Sequence, residues 1–181
     1  LLGLASAPQA VLAADPSVKI RVQSVIPATQ DENIMFKDFA RDVSALTDGT
    51  VTFEVLPAGA IVAMADTLSA VDKGLIEGGF AWTHYWSGIH PAAMLFGSPS
   101  AGAGVGLDNF AWLSWFQYGG GQKLYDQLWK EMNMNVKGIM LQPAGPEALG
   151  WFKKPIKSMA DFRKLRFRAP PGIPGQLYKD I

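Results

Sequence analysis

The sequence contains no cysteine, which removes thiolate nucleophiles, disulfides, Cys-based zinc sites and iron–sulfur clusters from consideration. It has two histidines, His84 and His90, too few for a His-rich metal centre. His90 precedes Pro91 in a loop-like stretch and reads as a solvated or locally hydrogen-bonded side chain. His84 follows an apolar strand and reads first as a structural histidine, with a cleft-lining role as the alternative. An excess of either charge is also lacking: 16 Lys and Arg balance 16 Asp and Glu. Nucleic-acid binders carry a basic face, so no nucleic-acid partner is expected. Beyond the first fourteen residues, no stretch is long and charge-free enough to span a bilayer. G-x-S-x-G and Walker A motifs are absent, and no Ser-His-Asp constellation stands out. The run Gly102-Ala103-Gly104-Val105-Gly106 lacks the G-x-G-x-x-G spacing of a dinucleotide loop and has no clear strand leading into it; it reads as flexible packing or a cleft rim.

What is present is a globular composition: 181 residues, 49% hydrophobic and 11% aromatic, enough for one domain or for one and part of another. Residues 1–14 stand apart. They are rich in Leu, Ala and Val, carry no charge and end in Val11-Leu12-Ala13-Ala14 before Asp15-Pro16. Small residues at the first and third positions before a scissile bond suit signal peptidase, so residues 1–13 read as the trailing part of a secretory signal.

Val18, Ile20 and Val22 alternate with Lys19, Arg21 and Gln23, the period-two pattern of a strand. Met35, Phe39, Val43 and Leu46 recur at helical spacing, and Asp48-Gly49 should end that helix with glycine in the left-handed conformation. A second strand at 51–55, a helix at 65–73 and a buried strand at 79–83 follow. This order implies parallel pairing with right-handed crossovers, hence an α/β fold. Ligands bind such sheets beyond the carboxyl ends of the strands. Asp108 can cap a helix to about Tyr118, the three glycines Gly119, Gly120 and Gly121 break it, and 122–132 forms another. Strands are expected at 136–141, 150–153 and 165–168. Ser158 caps a helical turn with Asp161 three residues on, and 175–180 begins a last helix. The residues divide into a first α/β domain at 14–140 and the beginning of a second at 141–181, which has two strands and the start of a helix without a completed sheet.

In the 165–168 segment, Leu165 and Phe167 share one face and Arg166 and Arg168 the other. Arg168 stands immediately before Ala169-Pro170-Pro171, at the strand's carboxyl end. A guanidinium offers a planar fork matched to a carboxylate and stays charged at any relevant pH. On position alone, a surface arginine in an ion pair is the better reading. Trp82, Tyr85 and Trp86 follow the third strand; aromatic walls are common in small-molecule pockets, and Tyr85 or Trp86 is expected to face a cleft.

The segment Ser158-Met159-Ala160-Asp161-Phe162-Arg163-Lys164-Leu165-Arg166-Phe167-Arg168-Ala169-Pro170 resembles the "sl-dl-kGlkiRvp" pattern of the DctP-type solute receptors of tripartite ATP-independent periplasmic (TRAP) transporters. The helix ending at Leu46-Thr47-Asp48-Gly49, Gly59 and Lys73-Gly74 agree with it, and Tyr85-Trp86-Ser87-Gly88 with Gly150-Trp151-Phe152 resembles the branch that binds α-keto acids. The resemblance implies a two-domain fold like the type II periplasmic binding proteins, closing on a carboxylate. It implies a periplasmic receptor, with no catalysis, that delivers a 2-oxo or 2-hydroxy monocarboxylate to TRAP membrane permease subunits. The alternative is an exported enzyme acting on a small carboxylic acid. A homodimer is among the states left open. By resemblance, Arg168 pairs with the ligand carboxylate and Glu147 lies beside the ligand, at a position usually Gln in the α-keto acid branch, where it helps hold a cation. A second carboxylate there would repel the ligand by about 4 kcal/mol for unit charges roughly 4 Å apart at an effective dielectric near 20. Either a cation such as sodium or calcium bridges the two, Glu147 is protonated, it points away, or the ligand offers a hydroxyl there; a bound cation or a hydroxylated acid is the hypothesis carried forward.

Overall fold

In the computed structural model, residues 17–97, 107–142, 150–169 and 172–181 are described. The alternating segment at the start forms strand β1, Val18–Ser24. It pairs in parallel with β2, Val51–Leu56, in the register Val18↔Val51 through Gln23↔Leu56. On its other side β1 pairs in parallel with β3, Gly78–Phe80, from Val22↔Gly78 to Ser24↔Phe80. The sheet order is β2-β1-β3. Helix α1, Asp31–Leu46, links β1 to β2, and a 3₁₀ turn at Met64–Asp66 with helix α2, Thr67–Asp72, links β2 to β3. The parallel α/β arrangement expected from the sequence is what the chain forms.

α1 ends in a Schellman motif. The Gly49 N–H donates to Ser44 O at 2.8 Å and the Asp48 N–H to Ala45 O at 3.4 Å. The left-handed residue at the turn is Asp48 itself, φ 47°, with Gly49 at φ 75° following it. Gly49 takes the left-handed conformation expected at the helix end, and Asp48 shares it, a short polar side chain being able to tolerate it.

One core cluster joins the sheet to α1 through Val22, Val25, Ile26, Phe36 and Phe80, with the Phe36 and Phe80 rings stacked at 4.7 Å. A second, aromatic cluster contains Trp86, Phe96, Trp112, Phe116, Tyr125 and Trp129. It is supplied by 3₁₀ turns at Thr83–Trp86 and Pro91–Phe96 and by helices α3, Asn109–Tyr118, and α4, Gly121–Glu131. Asp108 caps α3, its Oδ1 accepting from the Ala111 N–H at 2.8 Å. α3 and α4 meet where an added Cβ on Gly121 would lie 2.6 Å from the Phe116 Cα, so only glycine permits this close approach. Phe116 is fully buried there, and truncating such a ring to alanine costs about 3–5 kcal/mol.

Three expected strands are not formed. Among the described residues the sheet has three strands, and 136–141, 150–153 and 165–168 belong to none. Period-two patterning reports which faces of an extended segment are apolar, whereas a strand also needs a neighbour for its backbone groups. Strand β3 is also shorter than expected, because Thr83–Trp86 turns into 3₁₀ geometry. After residue 150 the chain forms helix α5, Met159–Phe162, and helix α6, Ile173–Asp180. Ser158 caps α5 as expected: its Oγ accepts from the Asp161 N–H at 3.2 Å and donates to Asp161 Oδ2 at 2.9 Å. Phe152, Phe162, Phe167 and Tyr178 pack ring against ring around these helices. The expected signal segment and the crossing at 142–145, apart from Gln142, lie outside the described residues.

Candidate functional site

Parallel strands bring the carboxyl ends of β1, β2 and β3 to one edge of the sheet, and buried polar side chains fix the loops there. Gln23, near the end of β1, is fully buried. Its Oε1 accepts from the Ile61 and Val62 N–H groups at 2.8 and 3.0 Å, and its Nε2 donates to Val62 O at 2.8 Å. The sequence pattern groups Gln23 with the outward Lys19 and Arg21, and the structure corrects this. The loop after β2 folds over that face, and an amide is the side chain that can both accept from and donate to its backbone. Ser24 is buried too, its Oγ accepting from the Ile26 N–H at 3.0 Å. These polar anchors give no signal in the sequence, where Gln23 continues the polar register of Lys19 and Arg21.

Beyond β3 the chain carries Trp82, Thr83, His84, Tyr85 and Trp86. Trp86 is 7% exposed, its Nε1 donates to Ala65 O at 3.3 Å, and its side chain lines an interior apolar cavity of about 690 Å³. Tyr85 is 42% exposed and packs edge-on against the His84 ring at 4.8 Å. Of the two aromatics expected at a cleft, Tyr85 is the accessible one. The His84 ring occupies the space a side chain at Gly97 would need, in keeping with a structural histidine. Thr83 Oγ1 and Tyr125 Oη are 2.7 Å apart in the interior, and burial pushes the Tyr125 hydroxyl pKa up. His90 is locally hydrogen-bonded, its Nδ1 accepting from the Ala92 N–H at 3.2 Å.

Fixed charges lie away from this edge. At the amino end of β3, Arg21 grips Glu77 through Nε and Nη2 at 2.8 and 2.7 Å, and these bonds hold the Glu77 carboxyl at a pKa of about 2. Lys137 and Asp126 pair at 2.6 Å, which lowers the Asp126 pKa.

Arg168 is exposed in an irregular segment, not at the end of a strand. It has no hydrogen bond or ion pair to the described residues, and none joins it to Tyr85 or Trp86, so the structure does not assemble these residues into one pocket. Its neighbours Leu165 and Arg166 are exposed as well, while Phe167 is held by the Phe162 ring at 5.5 Å. Glu147 lies outside the described residues. Among the described residues no group of three or more His, Asp or Glu could hold a metal ion, and no helix is long and apolar enough to cross a membrane.

Residues 22–180 match the family of bacterial extracellular solute-binding proteins, family 7 (DctP). The chain is 30% identical over 166 residues to the monocarboxylate 2-oxoacid-binding periplasmic protein of Nostoc sp., covering 90% of this chain and 43% of that one. A TRAP transporter solute-binding protein from Bordetella bronchiseptica, solved with copurified calcium and picolinate in its active site, superposes with a TM-score of 0.76. It is 28% identical, over 92% of this chain and 48% of that one. A TRAP periplasmic solute-binding protein from Rhodobacter sphaeroides, in an apo open structure, gives a TM-score of 0.57 at 33% identity, over 64% of this chain and 36% of that one. The chain thus spans less than half the length of these relatives. It belongs to the DctP family of extracellular solute-binding proteins of TRAP transporters.

Proposed function

We propose that the chain is part of a periplasmic TRAP receptor that binds a 2-oxo or 2-hydroxy monocarboxylate without catalysis and delivers it to membrane permease subunits. The similarity over 90% of the chain to a monocarboxylate 2-oxoacid-binding protein carries this reading. In it, residues 14–140 are the first lobe and 141–181 open the second. Tyr85 stands accessible on the turn after β3, while Gln23 holds the loop after β2 in place. Arg168 is the carboxylate anchor, and its exposed guanidinium is open to an incoming anion. Glu147 supplies a negative charge that a sodium or calcium ion would offset beside the ligand carboxylate. The calcium in the Bordetella bronchiseptica relative supports that part.

Isothermal titration with pyruvate and lactate tests the reading on the chain extended to its relatives' length. Stoichiometric binding is expected, accompanied by a rise in melting temperature through mass action. No heat and no shift with any small monocarboxylate would refute it.

A further inference from the structure

Charge is distributed unevenly along the chain although it sums to zero. Eight of the sixteen Lys and Arg fall in residues 150–181, against two acids, Asp161 and Asp180, so this segment carries +6 and residues 1–149 carry −6. In the earlier part half of the cations are paired: Lys19 with Glu54, Arg21 with Glu77, Arg41 with Asp38 and Lys137 with Asp126. Among the described residues none of the eight later cations pairs with an acidic side chain, and all eight are exposed. The two acids are engaged by neutral donors instead. Asp161 Oδ2 accepts from Ser158 Oγ at 2.9 Å, and Asp180 Oδ1 accepts from Gln176 Nε2 at 2.7 Å.

The fold gathers these charges. The rings of Phe152, Phe162 and Tyr178 pack around Phe167, with centroids 6.3, 5.5 and 4.9 Å from it. Lys153, Arg163, Arg166, Arg168 and Lys179 each adjoin one of these rings in sequence, so one small aromatic cluster carries cations around it. Lys157 is tied to the cap of α5, its N–H donating to Asp161 Oδ2 at 3.3 Å. Salt screens exposed charges beyond about 10 Å at roughly 0.1 M but only beyond about 30 Å at roughly 0.01 M, so at low salt the potentials of cations on so small a cluster add. A patch of one sign that is not spent on ion pairs draws small ions of the other sign and speeds their encounter by about 10- to 1,000-fold. Scattered surface lysines need no such role, but this cluster includes Arg168, the carboxylate anchor of the proposed receptor.

We propose that the cationic cluster of residues 153–168 steers the anionic ligand to Arg168, so that Lys153, Lys154 and Lys157 set the rate of capture while Arg168 makes the contact. The inference rests on the receptor reading and adds to it a kinetic role for lysines that need not touch the ligand. The negative balance of residues 1–149 repels the same anion, so the acid meets the arginine-bearing side before the turn that carries Tyr85.

Stopped-flow fluorescence of pyruvate binding to the chain extended to its relatives' length tests this, with tetramethylammonium chloride setting the ionic strength at fixed sodium and calcium. The association rate constant should fall at least about tenfold between about 10 mM and about 300 mM salt. Lys153→Gln/Lys154→Gln/Lys157→Gln should associate at least about threefold more slowly at the low salt, match the native sequence at the high salt and dissociate at the native rate. An association rate indifferent to salt, or a triple variant as fast as the native sequence at low salt, would overturn the proposal and leave the receptor reading standing. A deficit that persists at high salt would overturn it too, because it would mark a structural role for the lysines. No binding of any small monocarboxylate by either protein would refute the receptor reading itself, and the steering with it.

Discussion

The hydroxyls of Thr83 and Tyr125, 2.7 Å apart and buried, join the end of β3 to α4. Sheet and aromatic cluster are thereby coupled at the edge where a ligand would sit. Tyr125→Phe keeps the ring in its place against Phe96, Phe116 and Trp129 but strands the Thr83 hydroxyl. The expected loss is about 1–3 kcal/mol, measured by urea unfolding, with Tyr125→Phe/Thr83→Val recovering part of it. A neutral Tyr125→Phe would show that the bond is not stabilising.

Gln23 satisfies three backbone groups of the loop after β2. Gln23→Leu preserves approximate volume and leaves those groups without partners, at a cost of roughly 2–4 kcal/mol. Hydrogen exchange at Ile61 and Val62 should accelerate in the variant. Unchanged protection would mean that the loop holds itself.

The Arg21–Glu77 pair predicts a defined pH dependence. The Glu77 pKa is lowered from 4.5 to about 2, chiefly by the hydrogen bonds from Arg21. A carboxyl depressed in the folded state binds protons more readily when unfolded, so its contribution is present above the unfolded pKa and lost as pH falls. The stability difference between the native sequence and Glu77→Gln should hold from neutrality to about pH 4.5 and shrink as pH falls towards about 2. Both groups are solvent-exposed, so the difference should also weaken with salt. A gap that persists unchanged down to pH 2 would contradict the assignment.

The sheet and its helices were legible in the sequence because their signals are local: alternation at Val18, Ile20 and Val22, a cap at Asp108, a break at Gly120. The side of β1 that carries Gln23 was not, because a loop distant in sequence decides which polar residue is buried. Trp86 and Tyr85 are adjacent aromatics, and only packing against Ala65 and Trp129 distinguishes the core ring from the exposed one. At 136–141 the pattern was right about the pleat and the faces, yet pairing depends on neighbours that the pattern does not contain. Arg168 was picked out by a family motif, and alternation there did not predict the irregular backbone that carries it.

In the proposed receptor, Glu147 beside the ligand makes acid binding depend on a cation. Titration of metal-free protein with pyruvate should show affinity falling at least tenfold on chelation and returning with sodium or calcium. Equal affinity before and after chelation would remove the cation from the account.

The most direct test of the central claim is the pyruvate affinity of Arg168→Ala in the chain extended to its relatives' length. Leaving one charge of a desolvated pair unmatched costs about 2–5 kcal/mol, so binding should weaken by roughly 30-fold to several thousand-fold while the melting temperature without ligand stays unchanged. A loss below threefold would contradict the assignment of Arg168 as the carboxylate anchor.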